Sequence, residues 1–175
     1  MDHDSYSDAY IRRVLRTVKR VAVVGASGNP ARPSFFVVKY LAEKGYTVLP
    51  INPGLEGQTI AGLPVFGSLA RAPGPIDMVD VFRNAEAAMG VVEEALALDP
   101  TPKVIWMQLG VRNDAAAALA EARGVDVVMN RCPKIEYGRL SAEIGWMGVN
   151  SRVISAKKPV GQGTRVQSLG IPTDE

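Results

Sequence analysis

A doubly wound α/β domain around a parallel sheet of five strands is what this sequence of 175 residues predicts, and three observations predict it. Short apolar, β-branched runs recur along the chain, each too short for a helix and bounded by Gly, Asn or Pro. Between them lie segments whose apolar residues fall three and four apart, opened by capping residues and closed by glycines. Strands alternating with helices in this way form right-handed β-α-β crossovers, which leave a parallel sheet covered on both faces.

From Asp8 to Thr17 the apolar residues Ile11, Val14 and Leu15 share one face, with Arg12, Arg13 and Arg16 turned to water, which predicts a packing helix. Val21 to Val24, ended by Gly25, is the first strand. Ser34 is the expected N-cap of a helix over Phe35 to Glu43, and Gly45 stops it. Tyr46 to Ile51 is the second strand, broken by Asn52, Pro53 and Gly54. The glycines from Gly54 to Gly67 predict a loop-rich crossover with a short helix near Ser68 to Arg71.

Asp77 to Phe82 is the third strand run, and Asn84 caps a helix through Leu98 with an inward stripe at Ala88, Val91, Val92, Ala95 and Leu96. Lys103 to Met107 is the fourth strand. Asn113 caps the alanine-rich helix Asp114 to Arg123, Gly124 ends it, and Val125 to Met129 is the fifth. A strand order of 3-2-1-4-5 follows for a Rossmann-type sheet. From Pro133 onward the periodicity fades, so the expected domain covers residues 1–149, with a polar, basic tail over 150–175.

The bulk numbers fit one packed domain. Hydrophobic residues make up 47% and charged residues 22%, and the net charge of +2 is too small for a nucleic-acid footprint. The single cysteine, Cys132, excludes an intrachain disulfide and suits a reducing compartment, so the cytoplasm is expected. No apolar run reaches the roughly 18 residues that span a bilayer, and Met1 to Asp8 lacks the blocks of a signal peptide. A homodimer is compatible with the sequence.

In an open parallel sheet, ligands sit beyond the carboxyl ends of the strands where the order reverses. Here that place is the loop Gly25 to Ser34, reading GASGNPARPS. Its small residues let backbone N–H groups approach an anion, the following helix adds its positive end, and Arg32 adds a fork-shaped cation. The loop has no lysine followed by Ser or Thr, which argues against a nucleoside triphosphatase, and it departs from GxGxxG. NAD enzymes usually place an acid at the end of the second strand; this chain offers Ile51, Asn52 and Pro53, and no acid before Glu56.

The blocks VAVVGASGNPARPS, INP, DMVDVFRN, IWMQLGV and VVMNRCPKIE run in order from Val21 to about Leu140. Together they resemble the single-domain coenzyme A-binding protein family, which is similar to the nucleotide-binding domain of the succinyl-CoA synthetase α subunit. The resemblance implies coenzyme A bound along the strand ends. It implies a phosphate site in the loop (Gly25, Ala26, Ser27, Asn29, Pro30), with Ser27, Arg32 and Ser34 on the phosphates. Asn52 and Pro53 would border the nucleotide, and Val81, Phe82 and Arg83 would flank the adenosine, with a core aromatic at Phe82 and a solvated charge at Arg83 as the alternatives. Gln108 and Gly110, after the fourth strand on the same rim, are expected along the pantetheine path or as a polar cap on the strand end. Gly54 departs from the family, whose members often carry a lysine there.

Catalysis is not written in the sequence. The related ligase works through a phosphorylated histidine, whereas the single histidine here, His3, sits in a polar terminus where a mobile surface residue is expected. Cys132 has two readings: a small apolar residue, or a thiol activated by Arg131 and able to form a mixed disulfide with the cofactor. No metal-ligand spacing and no GxSxG elbow is present. A coenzyme A or acyl-CoA binder without its own catalytic machinery is the leading expectation. An acyl-CoA or nucleotide-dependent enzyme with a partner subunit comes second, and an NAD(P)-linked oxidoreductase third.

Overall fold

The computed structural model describes residues 1–141; the expected boundary at 149 and the tail lie outside them. The chain runs α1 (Asp8–Thr17), β1 (Arg20–Val24), α2 (Pro33–Glu43), β2 (Thr47–Ile51), the hairpin β3 (Thr59–Ile60) and β4 (Leu63–Pro64), and β5 (Met78–Val81). It continues through α3 (Ala85–Leu96), β6 (Val104–Met107), α4 (Asp114–Glu121), β7 (Asp126–Val128) and α5 (Pro133–Leu140).

Five of these strands make one sheet in the order β2-β1-β5-β6-β7, with every pair parallel. The expected 3-2-1-4-5 pattern is realised with a change of occupant. A single parallel bridge from Ile51 to Phe66 puts the Phe66 segment outside β2, in third place, tied by Asn52 N–H to the Phe66 carbonyl at 2.9 Å and Phe66 N–H to the Pro50 carbonyl at 3.0 Å. The Asp77–Phe82 run instead lies against β1. Thus β1 has β2 on one side and β5 on the other, and the crevice of a doubly wound sheet opens between the ends of β1 and β5.

Alternation along the strands divides the core in two. Val21, Val23, Met78, Val104 and Trp106 pack against α1, α2 and α5, while Ala22, Val79, Val81, Ile105 and Met107 pack against the small faces of α3 and α4. Asn84 and Asn113 cap α3 and α4 as expected, their side chains accepting from Ala87 N–H and Ala116 N–H. The short helix of the crossover is a 3-10 turn at Leu69–Arg71.

Three expectations change. Ser34 is not the cap of α2: that position belongs to Arg32, and Pro33, with φ preset and no N–H to lose, starts the helix. Where the periodicity fades there is a helix, α5, again opened by a proline. Its pattern is hidden because it buries Glu136 and Gly138 along with Tyr137 and Leu140; Glu136 is held by Arg139 at 2.7 Å. His3 is half-buried and has partners. Its Nδ1 lies 2.8 Å from the Tyr6 hydroxyl and its Nε2 3.4 Å from Glu121.

Candidate functional site

The loop after β1 is fastened from two directions. Gly25 has φ +87°, and a Cβ there would meet the Phe82 carbonyl oxygen at 2.6 Å, so only glycine lets the end of β1 pass so close to the end of β5. Asn52, at the end of β2, donates from Nδ2 to the Ala26 carbonyl at 2.8 Å and accepts Gly54 N–H at 2.9 Å. The same polar side chain therefore closes one turn and clamps another.

Most of the loop's amides are already bound, so the expected anion cradle is narrower. Gly25 and Ala26 N–H both donate to the Ile51 carbonyl. Ser27 N–H donates to the Ser34 hydroxyl at 3.1 Å, Asn29 N–H to the Ser27 hydroxyl, Ala31 N–H to Asn29 Oδ1 and Arg32 N–H to the Asn29 carbonyl. Within this stretch and among the described residues, Gly28 and Ser34 N–H keep no acceptor inside the protein. Ser27, Asn29 and Ser34 thus brace the loop, Ala26 is buried beneath it, and Pro30 stands exposed at its tip.

Side-chain charge fills the gap. The side chains of Arg32 and Arg83 are exposed and make no ion pair or hydrogen bond among the described residues. Several arginines elsewhere are matched: Arg13 with Asp126 at 2.8 Å, Arg71 with Glu56 at 2.9 Å and Arg139 with Asp8 at 2.8 Å. The first acid after β2 is therefore already paired with an arginine.

Two cavities open at the rim, and Arg83 lines both. The larger, of about 530 Å³, runs from Ala31 and Pro33 past Phe82 to Gln108 and Cys132. Its mouth carries Phe36, Leu109 and Ile135, which are 49%, 57% and 46% exposed and so form an uncovered apolar surface. The smaller, of about 290 Å³, lies between the end of β2 and α3, with Gly25, Asn52, Pro53 and Glu94 in its wall. Gly110, with φ +78°, turns the chain beside Leu109, its N–H donating to Asn130 Oδ1 at 2.8 Å. Val81 lines neither cavity: it is wholly buried at the end of a strand flanked on both sides.

Behind the larger cavity is a feature that the sequence reading missed. Asp80, in β5, is fully buried, and its described hydrogen-bond partner is Gln108, whose Nε2 donates to both carboxylate oxygens at 2.9 and 3.0 Å. Burial pushes the Asp80 carboxyl up to about 8, against the pull of that amide. The acid in an otherwise apolar strand was the available signal, with a glutamine at the next strand's end. Cys132 is 8% exposed, and burial, with Asp80 adding to it, raises its thiol above the ordinary value; the expected activation by Arg131 is not found. Arg131 instead reaches toward Glu136 and covers the Tyr6 ring.

Fold and rim define the class of this protein: a Rossmann-type α/β domain with adjoining cavities at the carboxyl ends of its central strands. The family model described as the CoA binding domain matches residues 19–138, and the chain belongs to that family. It is similar to the uncharacterised protein YneT of Bacillus subtilis (strain 168), 38% identical over 131 residues that cover 75% of this chain and 94% of that protein. Among solved structures, a hypothetical protein from Pyrococcus horikoshii OT3 matches with a TM-score of 0.73 at 36% identity, over 80% of this chain and 96% of that one. The protein cell-free ID.343 from Thermus thermophilus matches with a TM-score of 0.71 at 37% identity, over 77% and 98%.

Proposed function

We propose that this protein is a coenzyme A or acyl-CoA binding module of the cytoplasm that carries or senses the cofactor without catalytic machinery of its own. The observation that carries this reading is the meeting of the two cavities at Arg83, with a second unmatched guanidinium, Arg32, on the same rim. A molecule with a nucleotide at one end, an uncharged arm at the other and phosphates between suits that order.

The residues fit coenzyme A piece by piece. Arg32 and Arg83, with Gly28 and Ser34 N–H and the start of α2, would hold the phosphates; a guanidinium grips phosphate with two parallel donors. The smaller cavity, edged by Gly25, Asn52 and Pro53, would take the adenosine. The larger one would take the pantetheine between Phe82 and Gln108, covering part of the exposed Phe36, Leu109 and Ile135. An NAD reading lacks support, because Glu56 is paired with Arg71 rather than free for ribose hydroxyls.

Isothermal titration with coenzyme A, 3′-dephospho-coenzyme A, NAD and NADP tests the proposal. Tightest binding is expected for coenzyme A, weaker binding without its 3′-phosphate, and little for NAD. Absent binding of coenzyme A, or equal binding of NAD, would overturn it.

A further inference from the structure

The smaller cavity runs beside α3 rather than into the sheet. Ala87, Gly90, Val91 and Glu94 line it, and their spacing of three, four and seven places them on one face of the helix. At 1.5 Å per residue, Glu94 lies roughly 10 Å along the axis from Ala87, at the far end from the rim. Gly67 and Ser68 contribute to the same wall.

Two features of this slot need a reason. Gly90 is a helix-interior glycine, which weakens a helix relative to alanine, yet a Cβ built there meets nothing within 4 Å. Packing within the protein does not demand it; a flat group lying against the helix would. Glu94 is half-buried, and its Oε1 is fixed by Leu69 N–H at 2.8 Å. Its Oε2 has no partner among the described residues, so the slot ends in an acceptor held in place. An ionised carboxylate only accepts, and a ring fitting there must present an N–H.

The geometry points to Glu94 as the specificity-determining residue of the nucleotide end: it reads the exocyclic amine of a 6-aminopurine lying along α3 over Gly90. This rests on the coenzyme A reading above and deepens it. A 6-oxopurine would turn a carbonyl toward the carboxylate and be repelled. Asn52 and Arg83 stand at the open end of the same cavity, where the ribose and its phosphate would leave it.

The test compares coenzyme A with 1,N6-etheno-coenzyme A, whose added ring removes the amine donors, by titration against the wild-type chain, Glu94→Gln and Gly90→Ala. Glu94→Gln keeps an oxygen for Leu69 N–H while its amino group faces the slot. Wild type is expected to prefer coenzyme A by about tenfold or more, the worth of a hydrogen bond to a charged group. Glu94→Gln should bring the two ligands within about twofold of each other, since that bond is then gone. Gly90→Ala should melt no lower than wild type and bind coenzyme A more weakly. Equal binding of the two ligands by wild type, a preference unchanged in Glu94→Gln, or full affinity in Gly90→Ala would overturn this inference while leaving the coenzyme A reading standing. No binding of coenzyme A by wild type would overturn both.

Discussion

Asp77 and Asp80 stand near opposite ends of β5, and the protein treats their charges in opposite ways. At the entry to the strand, Asp77 accepts Lys19 N–H at 2.9 Å and Arg20 N–H at 3.0 Å and pairs with Lys103 at 2.7 Å. Against the burial that raises it, those partners hold its carboxyl below the ordinary value. Near the exit, Asp80 has a lone amide for a described partner and is pushed up to about 8. At the rim the Arg32 and Arg83 side chains are unmatched, whereas Arg13 and Arg71 away from it are paired with acids. The Asp77 charge is thus matched where the sheet is tied together, and the Arg32 and Arg83 charges stand unmatched where a ligand would enter.

Unfolding and binding measurements test that contrast. The largest effect is expected from Asp80. Its folded value lies above its unfolded one, so the stability it contributes is full below about pH 4 and is lost as pH rises through about 8. Urea unfolding from pH 5 to 9 should show stability falling by several kcal/mol, and Asp80→Asn should flatten the fall; a wild-type profile that is already flat would refute the account. Asp77 has the opposite sign, its contribution present above the unfolded value and lost on acidification. Asp77→Ala, which strands two backbone amides and Lys103, should cost about 3 kcal/mol of unfolding free energy at neutral pH while leaving coenzyme A affinity alone.

At the rim the pattern should invert. Arg83→Ala is expected to weaken coenzyme A binding by about 2 to 3 kcal/mol without lowering the melting temperature, because no described partner is lost inside the protein. Arg32→Ala, on the exposed loop, should cost about 1.5 kcal/mol, more at low salt than at high. Calorimetry and thermal melting on the same samples decide both. A stability loss with unchanged affinity in either variant would place that arginine with the structural charges.

Much of the fold was legible because local rules sufficed. The strand runs, the asparagine caps at Asn84 and Asn113 and the stops at Gly45 and Gly124 each rest on residues close in sequence. The features missed depend on distant partners. The Phe66 bridge exists because Ile51 and Asn52 are beside it, and α5 hides its pattern because its polar residues are satisfied by Arg139 and by packing against α1 and α2. In the candidate site, Arg32, Phe82, Arg83 and Gln108 were named from their blocks. That Ser34 braces Ser27, that Val81 is sealed inside the sheet and that Glu94 reaches the slot all require the folded chain.

The order of residues alone determined the alternation of strands and helices, the parallel sheet, and the place at the end of β1 where a glycine-rich turn meets a helix. These follow from periodicity and turn chemistry, which act over a few residues. Tertiary structure decided which segment lies third in the sheet, which loop amides are already bound, which arginines go unmatched, and how burial shifts Asp80 and Cys132. Those depend on distances across the fold and on exclusion of water, and neither is a property of neighbours along the chain.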